Sequence, residues 1–399
     1  MKCPGSITCT LKLNRIPSSK QRSRAAYPSC LYKMASSPDK AETSESFMNR
    51  MAECFNSGFV MIGVAIGSST GLFETMAAID EPKTSQEIAD IAGLKERYVR
   101  EWLAVMVTSK IVDMDFDKQT YLIPKHRAEV LTKFKGPENL SLAATTIPAL
   151  CAVYDDIIEC FKRSGPRGVP YSKYSAFMDY MGQLSAEKYQ EKLPHFVKTN
   201  KEIHSLLESG ITVVDIGCGH GMFVCTMARE FPNSQFYGVD FCDEYLQVAR
   251  KEASKRALTN VTFEAHDVVK LPADWSSKFD YVTAIDTIHD QAYPDVVLKE
   301  VYKLVKPGGY FSMIDVNASS NIRENMDHPM GPCYYATSLM HCMSVSLYFE
   351  NGMGLGAMWG KEKAKEMVEK VGFRCVQLEP QPDDLENYHA LFEKPDSAK

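Results

Sequence analysis

The chain has 399 residues, 45% hydrophobic and 24% charged, with a formal net charge of −6. That is a globular composition, long enough for two domains, with no internal repeat and no sustained heptad. The acidic balance argues against tight nucleic-acid binding, which needs a basic surface.

Residues 1–38 hold seven basic residues and no acidic one, among many Ser, Thr and Pro. No continuous apolar run marks a secretory signal. The composition fits a mitochondrial presequence, a disordered tail, or sequence ahead of a start at Met34. Without those seven charges the rest of the chain stands at −13. Twelve scattered cysteines, with no C-x-x-C pair, read as reduced thiols. A cytoplasmic location is expected, or a mitochondrial one if residues 1–38 are a presequence.

Residues 54–73, CFNSGFVMIGVAIGSSTGLF, are uncharged over a length that could span a bilayer. Gly63, Gly67 and Gly71 recur every fourth residue, a smooth stripe that lets another helix approach closely. The amphipathic segments elsewhere favour a helix–helix contact between protein surfaces, and no membrane association is expected.

Residues 84–124 give helix, turn, helix and hairpin. Thr84 and Glu87 form a capping box, Ile88, Ile91 and Leu94 recur at helical spacing, and Tyr98, Val99, Trp102, Leu103 and Met106 share one face of the next helix. IVDMDFDKQTYLIP then reads as two short strands. This is a winged-helix order. Its charge is nearly balanced, with nine Lys/Arg against eight Asp/Glu over 84–135, so a dimerisation role is expected over a DNA-binding one. A homodimer through residues 45–135 is expected, with the glycine stripe at or near its interface.

Residues 39–135 are thus assigned to a winged-helix/dimerisation domain and 136–209 to a helical connector. From 210 to 399 strands alternate with helices, which predicts a parallel sheet with helices on both faces. Ligands of such sheets sit beyond the carboxyl ends of the strands. The first strand ends in VVDIGCGHGMF, where Gly217, Gly219 and Gly221 allow a tight turn near a ligand. Met222 stands where a dinucleotide fingerprint wants glycine, which disfavours a diphosphate clamp. Asp240 ends the second strand, placed to accept from two ribose hydroxyls, and Asp267 follows the third, near an adenine edge.

With VVDIGCGHG, FDYVTAIDTIHDQ, LVKPGGYFSMIDV, NMDHPMGP and HCMSVSLYFENGMGLGAMWG, the chain resembles the class I S-adenosylmethionine-dependent methyltransferases, in a subfamily with an N-terminal winged helix. The resemblance implies an α/β fold, a Rossmann-like seven-stranded sheet of order 3-2-1-4-5-7-6 with its last strand antiparallel, preceded by a mainly helical winged-helix domain. It implies S-adenosylmethionine as cofactor. Asp215, Gly217, Gly219 and Gly221 would surround its methionine part, Asp240 the ribose, Asp267 the adenine and Asp286 the amino group. Phe241, beside Asp240, is counted with these cofactor-binding residues.

His289, in DTIHDQ at the end of the fourth strand, suits a general base, and resembles the His of the HD pair in small-molecule O-methyltransferases. A substrate lid is expected over about 320–360, where Asn325, Asp327, His328, His341, Cys342 and Trp359 fall. Asp290, His328, His341 and Trp359 are expected to line the acceptor pocket. His328, His341 and Asp327 match no metal-ligand spacing, so no metal is expected. The expected activity is methyl transfer to a small-molecule hydroxyl or thiol. The competing reading is an S-adenosylmethionine-binding transcriptional regulator using its winged helix on DNA.

Overall fold

The computed structural model describes residues 42–132, 139–191, 200–381 and 386–396. The basic segment 1–38 lies outside them. Helix α1 (Ser44–Ser69) starts at a capping box in which Thr43 and Ser46 satisfy each other's backbone N–H. Helix α2 (Leu72–Ala77) follows, then strand β1 (Lys83–Thr84), α3 (Ser85–Ala92), α4 (Glu96–Thr108), β2 (Asp113–Asp115) and β3 (Thr120–Leu122). The three strands form an antiparallel sheet of order β1-β3-β2, which completes the winged helix. Thr84 and Glu87 make the capping box that the sequence predicts.

Gly63 and Gly67 of the α1 stripe face neighbouring side chains of the same domain. A Cβ on Gly67 would collide with the rings of Phe73 and Trp102, and one on Gly63 with Val105 and Met106. The Trp102 indole N–H donates to the Gly63 carbonyl at 2.8 Å. The glycines therefore admit α4 of the same domain, because that face must accept an indole. The other side of α1 is bare: Phe47, Met51, Phe55, Phe59, Ile62 and Ile66 recur at steps of three or four and are all exposed. Tyr98 and Ile91 are exposed as well, although their spacing puts them with the apolar faces. On α4, Arg97 and Arg100 pair with Glu101 and Glu96, which cancels much of the domain's basic footprint.

Strands β4 (Thr212–Ile216), β5 (Gln235–Asp240), β6 (Val261–Ala265), β7 (Phe279–Ile285), β8 (Val305–Val316), β9 (Arg374–Pro380) and β10 (Asn387–Glu393) form one sheet of order β6-β5-β4-β7-β8-β10-β9. Pairing is parallel from β6 to β8, and β10 runs antiparallel to both neighbours. This is the implied order, strand for strand. Successive residues feed opposite faces: Val213 packs with helices Met222–Glu230 and Asp243–Lys255, and Val214 with Pro294–Leu304 and Lys361–Lys370. The helix Lys201–Ser209, at the end of the expected connector, buries Ile203 and Leu207 in the first of these layers.

Between β8 and helix Lys361–Lys370 a helical run over 331–348 contains a π turn at Ser338–Cys342. The wider turn brings two successive residues, His341 and Cys342, into the interior.

Candidate cofactor cleft and acceptor site

The carboxyl ends of β4 and β7 and the helix Asp243–Lys255 after β5 border a cleft of about 120 Å³, lined among others by Asp215, Gly217, Gly219, His220, Tyr245 and Asp286. Gly219 has φ 51° and nothing near the place of its absent Cβ, so its backbone faces open space. Gly217 and Gly221 have another task. Side chains there would strike Thr287 and the Ala249–Phe263 contact, so these two hold the loop onto its own scaffold.

Asp240 accepts from the N–H of Gly219 at 3.0 Å and of Cys242 at 2.9 Å. Burial raises its pKa, against the pull of these hydrogen bonds. Asp215 accepts from the Thr283 hydroxyl at 2.6 Å, and burial pushes its pKa up to about 7. Asp286 follows β7 at φ 48°, where Asn387 donates to its Oδ1 at 2.9 Å. Asp267 is exposed in the turn after β6, its Oδ1 accepting from Val269. Phe241 is exposed beside Asp240 and meets Tyr171 edge to face at 5.5 Å. Over the cleft lies the helix Ser175–Glu191, where the His220 ring sits against Gly182, its other flank 4.7 Å from the Tyr245 ring.

These residues fit S-adenosylmethionine. An open glycine backbone beside a buried carboxylate accommodates a ribose and its sulfonium, and two further buried or half-buried carboxylates suit an ammonium.

His289 sits in a short 3-10 turn, Ile288–Asp290, beyond β7. The next strand, β8, ends in the buried Asp315, so adjacent strand ends bring the two side chains together. His289 Nδ1 is 2.7 Å from Asp315 Oδ1. A carboxylate can only accept, so Nδ1–H donates and Nε2 is left for other partners. Trp359 donates its indole N–H to Asp315 Oδ2 at 3.1 Å. Burial lowers the proton affinity of His289, but Asp315 and Asp290 outweigh it and hold the pKa well above the ordinary imidazole value.

Asp290 is not a helix cap, since the next helix begins at Pro294 with Tyr293 at its N-cap position. Its Oδ2 accepts from the Tyr171 hydroxyl at 3.0 Å, while Oδ1 lies 3.3 Å from His289 Nε2 without accepting a hydrogen bond. His341 Nδ1 is 3.8 Å from Asp290 Oδ2, and both ring nitrogens lack a hydrogen-bond partner among the described residues. Burial pushes its pKa down and that of the neighbouring Cys342 thiol up to about 12. Tyr174 and Phe177 enclose the His341 ring at 4.7 and 4.6 Å.

His341, Cys342 and, through Asp315, Trp359 thus gather at His289. The residues 325–328 do not join them by any bond. Asn325 ties down Ser319 and Tyr335, Asp327 is exposed, and His328 uses both ring nitrogens on the backbone of Asn317 and Met330. Two members of the site escape sequence reasoning. Asp315 carries a signal, an acid closing an apolar strand next to the histidine's strand. Tyr171, 119 residues before Asp290, carries none.

Residues 207–372 match a methyltransferase domain family and residues 58–133 an Rv2258c-like winged HTH domain. The chain is 32% identical over 114 residues to a ubiquinone biosynthesis O-methyltransferase of Acinetobacter baylyi, covering 28% of this chain and 47% of that one. It is 33% identical over 150 residues to a demethylmenaquinone methyltransferase of Listeria monocytogenes, covering 37% and 60%. The chain therefore spans about half of the length of these relatives. Human N-acetylserotonin methyltransferase, solved with S-adenosylmethionine, shares the fold at a TM-score of 0.63 and 15% identity, over 90% of this chain and 99% of that one. The chain carries a class I S-adenosylmethionine-dependent methyltransferase domain behind an N-terminal winged-helix domain.

Proposed function

We propose that the protein transfers the methyl group of S-adenosylmethionine to a hydroxyl of a small molecule, with His289 as general base. The 2.7 Å contact between His289 and Asp315 carries this reading. It fixes the ring through Nδ1 and leaves Nε2 as the atom that takes the proton, with the base form growing as pH rises toward the raised pKa. The likeness to a relative named as an O-methyltransferase supports oxygen over sulfur.

The cofactor supplies an electrophilic methyl group on a sulfonium leaving group. What remains for the chain is to hold, align and deprotonate. Asp240 accepts from the ribose hydroxyls, Asp267 and Phe241 serve the adenine, and Asp215 and Asp286 the ammonium. Gly219 leaves room for the sulfonium, with Gly217 and Gly221 holding the loop behind it. His289 takes the acceptor's proton at Nε2, and Asp315 stabilises the imidazolium that results. Trp359 positions Asp315. Asp290 and His341 hold the acceptor, and His328 fixes the loop that covers it.

The test is a metabolite extract incubated with methyl-labelled cofactor, the labelled product being identified by mass spectrometry. On that product His289→Ala should lower kcat by about 10²- to 10⁴-fold, the span of a lost general base, with cofactor affinity kept. His289→Gln should be nearly as poor. A labelled thiol, or a mild effect of both variants, overturns the assignment.

We also infer a homodimer, formed through the bare face of α1. A row of six exposed apolar side chains on one helix is more than an isolated subunit leaves to water. Beside it Ile66, Leu94, Tyr98 and Trp102 line a largely apolar hollow of about 590 Å³, which a second copy's row would fill.

A further inference from the structure

We propose that the acceptor site is also a zinc site, in which His289 Nε2, Asp290, Cys342 Sγ and His341 bind one ion that blocks methyl transfer. One donor atom from each of His289, Asp290 and Cys342 lies within 4.8 Å of the others, and His289 and Cys342 are buried. His341 adds the second observation. It is 2% exposed, neither nitrogen has a hydrogen-bond partner among the described residues, and Nδ1 lies 3.8 Å from Asp290. A buried imidazole left unpaired is costly unless something fills the place of its partner. Asp290 Oδ1 is unpaired in the same place.

The donor set selects the ion. A thiolate with imidazole and carboxylate suits zinc, and disfavours magnesium and calcium, which take oxygen. Four donors close to tetrahedral order need contacts of about 2.0–2.3 Å, so the donors must close in from their present spacing. The surrounding bonds already suit a bound ion. His289 gives its other N–H to Asp315, which fixes the metal-facing nitrogen, Trp359 holds Asp315, and Tyr171 holds Asp290. The adjacent pairs His289–Asp290 and His341–Cys342 come from a 3-10 turn and a π turn, which is why no spacing rule in the sequence finds them. Binding removes the proton from the Cys342 thiol and requires Nε2 of His289 to be unprotonated.

Blocking follows because one lone pair on Nε2 cannot take both a metal and a substrate proton. That half rests on the methyl-transfer reading; the binding half does not. The test titrates the chelator-treated full chain with Co²⁺. One equivalent should bind with a thiolate-to-cobalt charge-transfer band, and Zn²⁺ should displace it one for one. Cys342→Ser should abolish the band. His341→Ala and Asp315→Asn should each weaken binding by about ten-fold or more. A band that persists in Cys342→Ser would place the ion at another cysteine and overturn the proposal. So would no stoichiometric binding, or unchanged affinity in His341→Ala, which also guards against a Cys342 variant that fails to fold. One equivalent of Zn²⁺ should suppress product formation and a chelator restore it; activity that a chelator removes overturns the blocking half alone. If no methylated product is ever found, the cobalt band still reads the site.

Discussion

The Tyr171 hydroxyl donates to Asp290 Oδ2 at 3.0 Å, across 119 residues of sequence. The same ring touches Phe241 on the cofactor side and His341 on the acceptor side, each at 5.5 Å. Tyr171 thus joins the two halves of the site, and burial with Asp290 beside it keeps the phenol protonated as a donor. Tyr171→Phe keeps the ring and removes the bond, leaving a buried carboxylate oxygen unpaired. Such a loss costs about 1–3 kcal/mol. Turnover should fall by about ten-fold or more with cofactor affinity nearly unchanged, because the ring edge at Phe241 survives. Calorimetry beside steady-state kinetics reads this; a variant with wild-type kcat would remove Tyr171 from the site.

Asp240 should carry much of the cofactor affinity. Its two oxygens already hold the Gly219 and Cys242 backbone, and each keeps a lone pair for a further donor. Asp240→Ala therefore loses the ribose contacts and loosens the glycine loop together. Charge-assisted hydrogen bonds are worth about 1.5–3 kcal/mol each, so binding of S-adenosylmethionine and of its demethylated product should weaken by about 10²-fold or more. Asp240→Asn keeps one acceptor and should fall between. Equal affinity in Asp240→Ala and wild type contradicts the assignment.

The two faces of α1 should separate folding from assembly. Gly67→Leu drives a side chain into Phe73 and Trp102, and overpacking of this kind costs about 1–3 kcal/mol. Its melting temperature should drop before any effect on association is seen. Phe55 and Phe59 are exposed, away from that core, and meet each other edge to face at 4.9 Å. Phe55→Glu with Phe59→Glu should leave the melting temperature of the monomer nearly unchanged and shift the mass in light scattering from dimer to monomer. A monomeric wild type at micromolar concentration ends the dimer reading.

Much of this architecture was legible because it repeats. The βα alternation and the acids at strand ends are periodic local signals, and they led to a parallel sheet and to Asp240 and Asp267, while the family resemblance implied the strand order and the places of Asp215 and Asp286. The glycine stripe shows the limit. Spacing reveals a face that another helix can approach, but not whether that helix is α4 or a second subunit. The acceptor side was read least. Its members come from 171, 289–290, 315, 341–342 and 359, and only folding brings them together. His328 looked equivalent to His341 in the same stretch, yet a half-buried loop took the one and a π turn the other.

Asp215 should make stability depend on pH. Its carboxyl is buried between β5 and β7, and burial raises its pKa from the ordinary 3.8 to about 7, with Asp240 adding to the shift and the Thr283 hydrogen bond opposing it. A group that binds its proton more tightly folded than unfolded stabilises the fold fully below its unfolded pKa. That contribution is lost as pH rises through the folded pKa. Without cofactor, the wild type should therefore lose stability between about pH 4 and 7, by at most a few kcal/mol at about 1.4 kcal/mol per unit. Asp215→Asn cannot ionise, and its amide N–H₂ or oxygen can still meet Thr283. Its stability should be flatter over that range, so that the difference between the two proteins grows with pH in favour of the variant. Denaturant melts at pH 5, 6 and 7 measure this difference. Parallel pH dependences in the two proteins would show that Asp215 is ionised in the fold across the whole range.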